Sequence, residues 1–509
     1  VRDVDFSTIV FSGYAPDGGL YVPQTIPIID RNTLCKWSKL SYSRLTAQIL
    51  SLFVNSKVRP HLERICDAAF ANFESPQQPV PIKKVGKIYV VETFRGPTLA
   101  FKDIGLNILA QIMELLLTLD GDANNGKKAN VLIETSGDTG PAAVSSIMRN
   151  TSKVNVFCMF PYKQVTEIQA RQLTTMMYKN RGNNHHRIVN VYSTDRNSDD
   201  QCLIIKNIFN DTAFIKKYNI CAMNSINFVR IAAQICYYFY AYLQVVTDVG
   251  KQVDFAVPSG AFGNSCAGSF AKAMGLPIRH LIPCCNENNI VFRTLMFGDF
   301  SSSFKDYHLT KSPAMDVQVA YNLERFFWLC FHMNGAMVTK VMQQFERNLQ
   351  EMEFSYQFDE VLRNQFSKFI NISYCVSDAQ IAEITRYFME HYDYVSCPHS
   401  ACALFGAFTF LNDKSRVQCS DDQSIAMVAV STASPAKFPN IIKGFVPGKN
   451  LKLEHRFLPR ADDKEDCIKL RSDQSAKSND NWQSRWKERL KQDIIKANTQ
   501  SAGSARSKL

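Results

Sequence analysis

Three observations predict an α/β architecture for most of this chain. Strand-like and helical segments alternate from about residue 81, the strand-like runs are short and rich in β-branched residues, and glycine- and hydroxyl-rich turns stand directly after them. Repeated strand-helix order implies a parallel sheet covered on both faces, because parallel neighbours need crossover connections. In such sheets ligands bind beyond the carboxyl ends of the strands, so the post-strand turns are candidate walls of a site.

At 509 residues the chain exceeds one hydrophobic core, and two or three domains are expected. The divisions fall at residues 1–80, 81–450 and 451–509, with the middle region itself made of two subdomains. The chain opens at Val1 without a methionine, which leaves open whether residues precede it. Residues 1–80 combine a turn-rich run from Tyr14 to Pro23 with helical patterns between Leu45 and Phe70, and Pro76 to Pro81 reads as a hinge.

The first strand of the α/β region is Lys87 to Phe94, dense in β-branched and aromatic residues and stopped by Gly96-Pro97. From Ile104 to Leu119 apolar residues dominate, with Asn107, Gln111 and Glu114 near one helical face. Lys102 therefore sits where a strand turns into a buried helix. Desolvation and a helix N-terminus both lower a lysine's pKa and favour the neutral amine that attacks an aldehyde. Such a lysine points to imine chemistry and to pyridoxal phosphate as cofactor.

A second strand, Val131 to Glu134, leads into Thr135-Ser136-Gly137-Asp138-Thr139-Gly140 and a helix expected to start at Pro141. The preceding hydroxyls can cap that helix, and its free N–H groups can hold a carboxylate or phosphate. Val154 to Phe160 is another strand. Val253 to Val257 precedes Pro258-Ser259-Gly260-Ala261-Phe262-Gly263-Asn264, where two glycines three apart let backbone amides converge on a phosphate. No Gly-Lys-Ser/Thr follows, so this is not a Walker loop. Ile425 to Val430 leads into Ser431-Thr432-Ala433-Ser434-Pro435-Ala436-Lys437-Phe438-Pro439. A hydroxyl at that strand end can hydrogen-bond a pyridine nitrogen without protonating it, which gives a mild electron sink suited to eliminations.

Composition narrows the partners. The net charge is +11, of which residues 451–509 supply 14 Lys+Arg against 9 Asp+Glu. The body is only mildly basic, which argues against a nucleic-acid surface and suits a pocket for small anions. Fifteen cysteines, an odd number without a CxxC pair, read as mostly buried, reduced thiols of a cytoplasmic protein rather than a disulfide framework. Cys397, His399 and Cys402 lack a second ligand pair nearby in sequence, and no metal is expected. Residues 104–119 and Ile231 to Val246 are apolar but too short and too interrupted to span a membrane. Asp462 to Asp480 is polar and expected to be mobile. Trp482, Trp486, Leu490 and Ile494 recur every four residues as in an amphipathic helix, and the last dozen residues are expected to be disordered.

Several phrases together resemble the threonine synthase family over roughly residues 10 to 460. Ala15 to Pro23 is similar to its APDGGLYVP phrase, Gly96 to Asp103 to HGPT-x-AFKD, and Thr135 to Gly140 to TSGDTG. Val257 to Asn264 is similar to VP-[ST]-G-x-x-GN, Thr432 to Pro439 to T-A-x-PAKFP, and Asn224 to Asn227 to NSIN. The resemblance implies a fold-type II pyridoxal-phosphate enzyme, tryptophan synthase beta-like, with an N-terminal threonine synthase domain. It implies that Lys102 carries the cofactor as a Schiff base and acts in catalysis. It further implies that Gly260, Ala261, Phe262, Gly263 and Asn264 hold the cofactor phosphate, that Thr432 meets the ring nitrogen and that Asp138 lies near the 3′ oxygen. Thr135, Ser136 and Thr139 are expected to receive the substrate, a small phosphorylated amino acid. The oligomeric state stays open.

Two departures stand out: Arg95 replaces the usual histidine of the lysine motif, and Cys397 replaces the usual aspartate of D-P-H-T-A. With the run Met315 to Leu329, the second resembles an animal threonine synthase-like branch. That branch implies cleavage of O-phosphohomoserine and O-phosphothreonine to 2-oxobutyrate, phosphate and ammonia. Threonine synthesis from O-phosphohomoserine is the alternative within the family. A catalytically silent interaction or signalling protein is the alternative outside it.

Overall fold

The computed structural model describes residues 3–119, 128–182, 187–196, 198–303, 307–349, 353–413, 425–449, 451–472 and 481–506. In chain order the strands are β1 (Ile82–Val85), β2 (Ile88–Glu92), β3 (Ala129–Glu134), β4 (Val154–Pro161), β5 (Val189–Thr194), β6 (Ile220–Cys221) and β7 (Val253–Pro258). After these come β8 (Ile278–Cys285), β9 (Ser302–Ser303), β10 (Glu353–Phe354), β11 (Tyr374–Cys375), β12 (Ala426–Ser431) and β13 (Ile468–Leu470).

They form two main sheets. One has the order β1-β2-β12-β7-β8-β11 and the other β13-β5-β4-β3-β6, while β9 and β10 make a small separate pair. The second sheet is parallel throughout. The first is parallel from β2 to β11, with β1 as an antiparallel edge. Every residue of β4 and β7 is buried, as expected for strands covered on both faces. β1 and β2 are joined by a tight turn at Gly86, whose φ of +58° suits glycine.

The helix Lys102–Leu119 packs between the sheets' connections and the helix Phe228–Val245. Gly105 permits this approach, because a methyl there would lie 3.3 Å from Arg230 Cα. Residues 1–80 do not stand apart. Their helices Tyr42–Leu50 and Leu62–Phe70 pack on the two long helices and share their apolar core, with Tyr42 edge-on to Tyr240 at 5.1 Å. The Ala15–Val22 turn is tied down by Glu324, which accepts from Leu20 N at 2.7 Å, and by Arg325, which donates to Tyr21 O at 3.0 Å.

Several expectations need correction. The helix expected from Pro141 starts at Thr139 with Asp138 as N-cap and no side-chain cap bond, so Pro141 is its third residue. Proline fits there because the first-turn N–H groups have no partner within the helix. Within the polar run 462–480, Ile468–Leu470 is ordered as a strand paired with β5. Arg171 and Thr174 hold Glu465 at 2.9 and 2.6 Å beside it. The remainder of that run, 473–480, lies outside the described residues. The C-terminal helix runs from Trp482 to Arg506 in place of a disordered last dozen, and residues 507–509 lie outside the description. Its Trp486, Leu490 and Ile494 are buried against the five-stranded sheet.

Among the described cysteines none forms a disulfide and most are buried. Among the described residues no helix is long and apolar enough to cross a membrane.

Candidate active site

β2 and β12 are neighbours, and the loops that follow them are stitched together. Thr93 donates through N (3.0 Å) and Oγ1 (2.7 Å) to Ser431 O. Phe101 N donates to Thr432 O at 2.8 Å and Ser434 N to Leu99 O at 3.1 Å. Asp103 closes the lysine loop from within: Thr98 donates to its two carboxylate oxygens through N (2.8 Å) and Oγ1 (2.7 Å). Gly96 must be glycine, because a methyl there would strike Asp103 Cβ at 2.5 Å. Burial pushes the Asp103 carboxyl up to about 6 against the Thr98 hydrogen bonds that favour its charge.

Lys102 opens the helix Lys102–Leu119, as the sequence predicts. Desolvation brings its amine down to about 8; Asp138 pulls the other way, while Arg230 and Lys437 add to the lowering. Asp138 is itself buried. Its desolvation is outweighed by Lys437 and Lys102, and the carboxyl stays well below the usual carboxylate range. Lys437, fully buried, lies 2.7 Å from Asp138 Oδ1 and donates to Thr98 O at 2.9 Å. Gln169 Nε2 donates to the same Oδ1 at 2.8 Å.

The 135–140 turn is organised by Thr135. Its hydroxyl donates to Gly137 O at 2.9 Å and accepts from Gly137 N (3.2 Å) and Gly140 N (3.0 Å). The hydroxyl is engaged within the loop, so Thr135 shapes the turn. Ser136 is exposed and Thr139 half-buried at the helix start.

The turn after β7 forms a cradle. Gly260 lies against the backbone of Met315, and a methyl would come within 2.9 Å of Met315 Cα. Phe262 takes a left-handed conformation (φ 64°) that launches the helix Gly263–Ala273. Asn264 Oδ1 accepts from Tyr238 OH at 2.8 Å and also from Tyr237 OH, while its Nδ2 is buried without a protein partner. An orphaned buried N–H group beside free helix amides is a fit for an anionic ligand.

The loop after β12 is fixed by Ser400, whose Oγ accepts from Thr432 N (2.9 Å) and Ser431 Oγ (3.0 Å). Next to it, Ala314 N donates to His399 Nε2 at 3.0 Å, which leaves the ring proton on Nδ1, 3.9 Å from Cys397 Sγ. Burial brings His399 down to about 4, with Asp138 opposing and Lys102 and Lys437 reinforcing. Burial also pushes the Cys397 thiol up. Cys397 N-caps the helix Pro398–Asn412 through its sulfur, with Ser400 N at 3.3 Å. Among the described residues no three His, Cys, Asp or Glu side chains converge as a metal site.

Arg95 points into an ion cluster of its own. Its guanidinium bonds Glu92 Oε2 and Glu74 Oε2, each at 2.9 Å, and Glu74 also holds His455 Nε2 at 2.6 Å.

Sequence reasoning missed four contributors. Lys437 and Asp103 were in view only as motif letters, and His399 only as a metal candidate and a letter of the D-P-H-T-A phrase. The segment around Ala314 and Met315, which walls the cradle and binds His399, was in view only as the start of the branch phrase at Met315.

Comparison with known proteins agrees with this arrangement. A family model described as "Threonine synthase N terminus" matches residues 1–70. The chain is 34% identical over 464 residues to Threonine synthase-like 2 of Pongo abelii, covering 89% of this chain and 90% of that one. The crystal structure of threonine synthase from yeast matches with a TM-score of 0.83 at 30% identity, covering 97% of each chain. A PLP-bound threonine synthase from Brucella melitensis matches with a TM-score of 0.80 at 28% identity, again over 97% of each chain. With this identity over most of its length and the same fold over nearly all of it, the chain belongs to the threonine synthase family.

Proposed function

We propose that this chain is a pyridoxal-phosphate-dependent phospho-lyase that removes phosphate from O-phosphohomoserine and O-phosphothreonine, yielding 2-oxobutyrate, ammonia and phosphate. The observation that carries the reading is the Lys102 amine, lowered to about 8 at the meeting point of the post-strand loops. The fit to the cofactor rests on the orphaned Asn264 amide and the Gly260 cradle, with the Thr432 hydroxyl at the end of β12. Its presence in a similar threonine synthase is further support. When bound, the cofactor supplies an aldehyde for the substrate's amino group and an electron sink for charge at Cα.

The chain's own residues do the rest. The cradle amides of Gly260 to Asn264 would hold the cofactor phosphate, the Thr432 hydroxyl would donate to the ring nitrogen, and Asp138 would lie near the 3′ oxygen. Ser136, Thr139 and the helix N-terminus at Thr139 bind the substrate's anionic group. Lys102 takes the Cα proton. From O-phosphothreonine, phosphate then leaves Cβ with the bonding pair. From O-phosphohomoserine, Lys102 must first pass on the Cα proton, then take a second from Cβ before phosphate leaves Cγ with the bonding pair, and a proton is finally returned to Cγ to complete the methyl group. Water splits the released unsaturated amine into 2-oxobutyrate and ammonia.

Residues 81–450 would carry this chemistry, with 1–80 buttressing it, 451–509 bracing the five-stranded sheet, and the cytosol as the setting. Threonine synthase is the second reading, favoured by the yeast likeness over 97% of the chain. Incubating purified protein with each phospho-amino acid and assaying phosphate, 2-oxobutyrate and threonine separates the two. The lyase reading expects 2-oxobutyrate in step with phosphate, and threonine as the main product overturns it. Lys102→Ala is expected to lower turnover by at least about 1,000-fold and to abolish the cofactor's visible absorbance.

A further inference from the structure

One buried carboxylate stands among three cations. Asp138 follows β3, Lys102 opens its helix, Arg230 lies in the first turn of Phe228–Val245, and Lys437 ends the short turn Pro435–Lys437. Lys437 occupies Asp138 Oδ1 at 2.7 Å, and Gln169 Nε2 shares that oxygen at 2.8 Å. Arg230 donates to Met223 O at 3.0 Å. The Lys102 amine makes no hydrogen bond or ion pair among the described residues and lies 5.6 Å from the centroid of the Phe101 ring.

We propose that Lys437 is a positioning residue that keeps Asp138 off the Lys102 amine, and so lowers that amine's hold on its proton and enlarges its neutral, nucleophilic share. The proposal deepens the functional reading above and rests on it for the amine's purpose, whereas the charge arrangement belongs to the chain itself. The groups facing Lys102 are Asp138 from the turn after β3, Arg230 from the helix Phe228–Val245, Lys437 from the loop after β12, and neutral His399 from the start of Pro398–Asn412. Asp103, its chain neighbour, is turned to Thr98. With the charge of Lys437 removed, Asp138 keeps the Gln169 hydrogen bond, and Lys102 is the other cation that acts on its charge. A carboxylate settling on a lysine raises that lysine's proton affinity. Lys437 thus works by competition for one carboxylate, and its bond to Thr98 O anchors the lysine loop at the same time.

Three substitutions separate charge from scaffolding. Lys437→Arg keeps the charge, Lys437→Gln keeps a donor for Thr98 O without charge, and the Lys437→Gln, Asp138→Asn double variant removes both partners. The readout is the pH dependence of Lys102 labelling by an amine-reactive reagent in the full-length chain freed of aldehyde cofactor, quantified on the Lys102 peptide by mass spectrometry. The wild type and Lys437→Arg should share a midpoint near about 8. Lys437→Gln should raise it by about one pH unit or more, and the double variant should bring it back to the wild-type value or below. An unmoved midpoint in Lys437→Gln, or an equal rise in Lys437→Arg, overturns the proposal. So does a Lys437→Gln chain that fails to fold while the double variant folds, because Asp138 would then have found no second cation. Absence of turnover on phospho-amino acids would sink the functional reading and leave these labelling outcomes intact.

Discussion

At the scale of single residues the site is set by which charges are paired. His399 is the clearest case. Its imidazole is held near about 4 by burial, against an ordinary value of 6.5. As pH falls through that interval the unfolded chain takes up the proton first, so stability is full above about 6.5 and is lost towards 4. The gap corresponds to about 3 kcal/mol. Urea unfolding measured between pH 7 and pH 4 should show this loss in the wild type and a smaller one in His399→Gln. Cys397→Asp would put a carboxylate where a thiol now lies 3.9 Å from His399 Nδ1. The His399 midpoint, followed by NMR of labelled histidine, should rise by at least about one pH unit. Lys102 could be read from its own neighbours because a strand end, a turn and a helix start are local signals. Lys437 could not, since its partners Thr98 and Asp138 lie some three hundred residues away in the chain and meet it only once β12 is beside β2.

At the scale of elements, the turns matter more than the strands they follow. The cradle after β7 is close-packed on the segment Pro313–Met315, and Gly260→Ala would force a methyl to 2.9 Å of Met315 Cα. Backbone cannot yield as a side-chain end does. Such overpacking costs about 1–3 kcal/mol, and cofactor affinity measured by absorbance titration should fall by about tenfold or more. The strands themselves were legible: β3, β4, β7 and β12 fall on the β-branched runs of the sequence, because strands buried on both faces need continuous apolar character. β13 was not. Three residues with lysine in the middle make no periodic signal, and the strand exists because the edge of β5 and the Arg171 contact to Glu465 receive it.

At the scale of the whole molecule, alternation of strand and helix announced parallel sheets but not how many. Strand order is a matter of long-range pairing, and here it divides the strands into two sets. The N-terminal helices likewise merge with the central core, because Tyr42 packs on Tyr240 of the helix Phe228–Val245 as well as on Phe70. The C-terminal helix is the other brace. Leu490 is fully buried against the five-stranded sheet, and Leu490→Ala should cost about 2–5 kcal/mol of stability in chemical denaturation. Because this brace is remote from Lys102, the variant is expected to keep the catalytic constants of the wild type at low temperature.

The position of β12 between β2 and β7 has a bearing on how the chain is made. A ribosome delivers β2 and β7 long before residues 426–431, so the two flanking strands must wait, with a full strand's width between them, for the piece that joins them. During that wait their facing edges expose unpaired N–H and C=O groups, which attract other strands. Lys102 meets Thr432 and Lys437 only after the late strand has slotted in. A nascent chain halted before that point therefore carries every cradle glycine and the lysine itself, yet has no assembled centre.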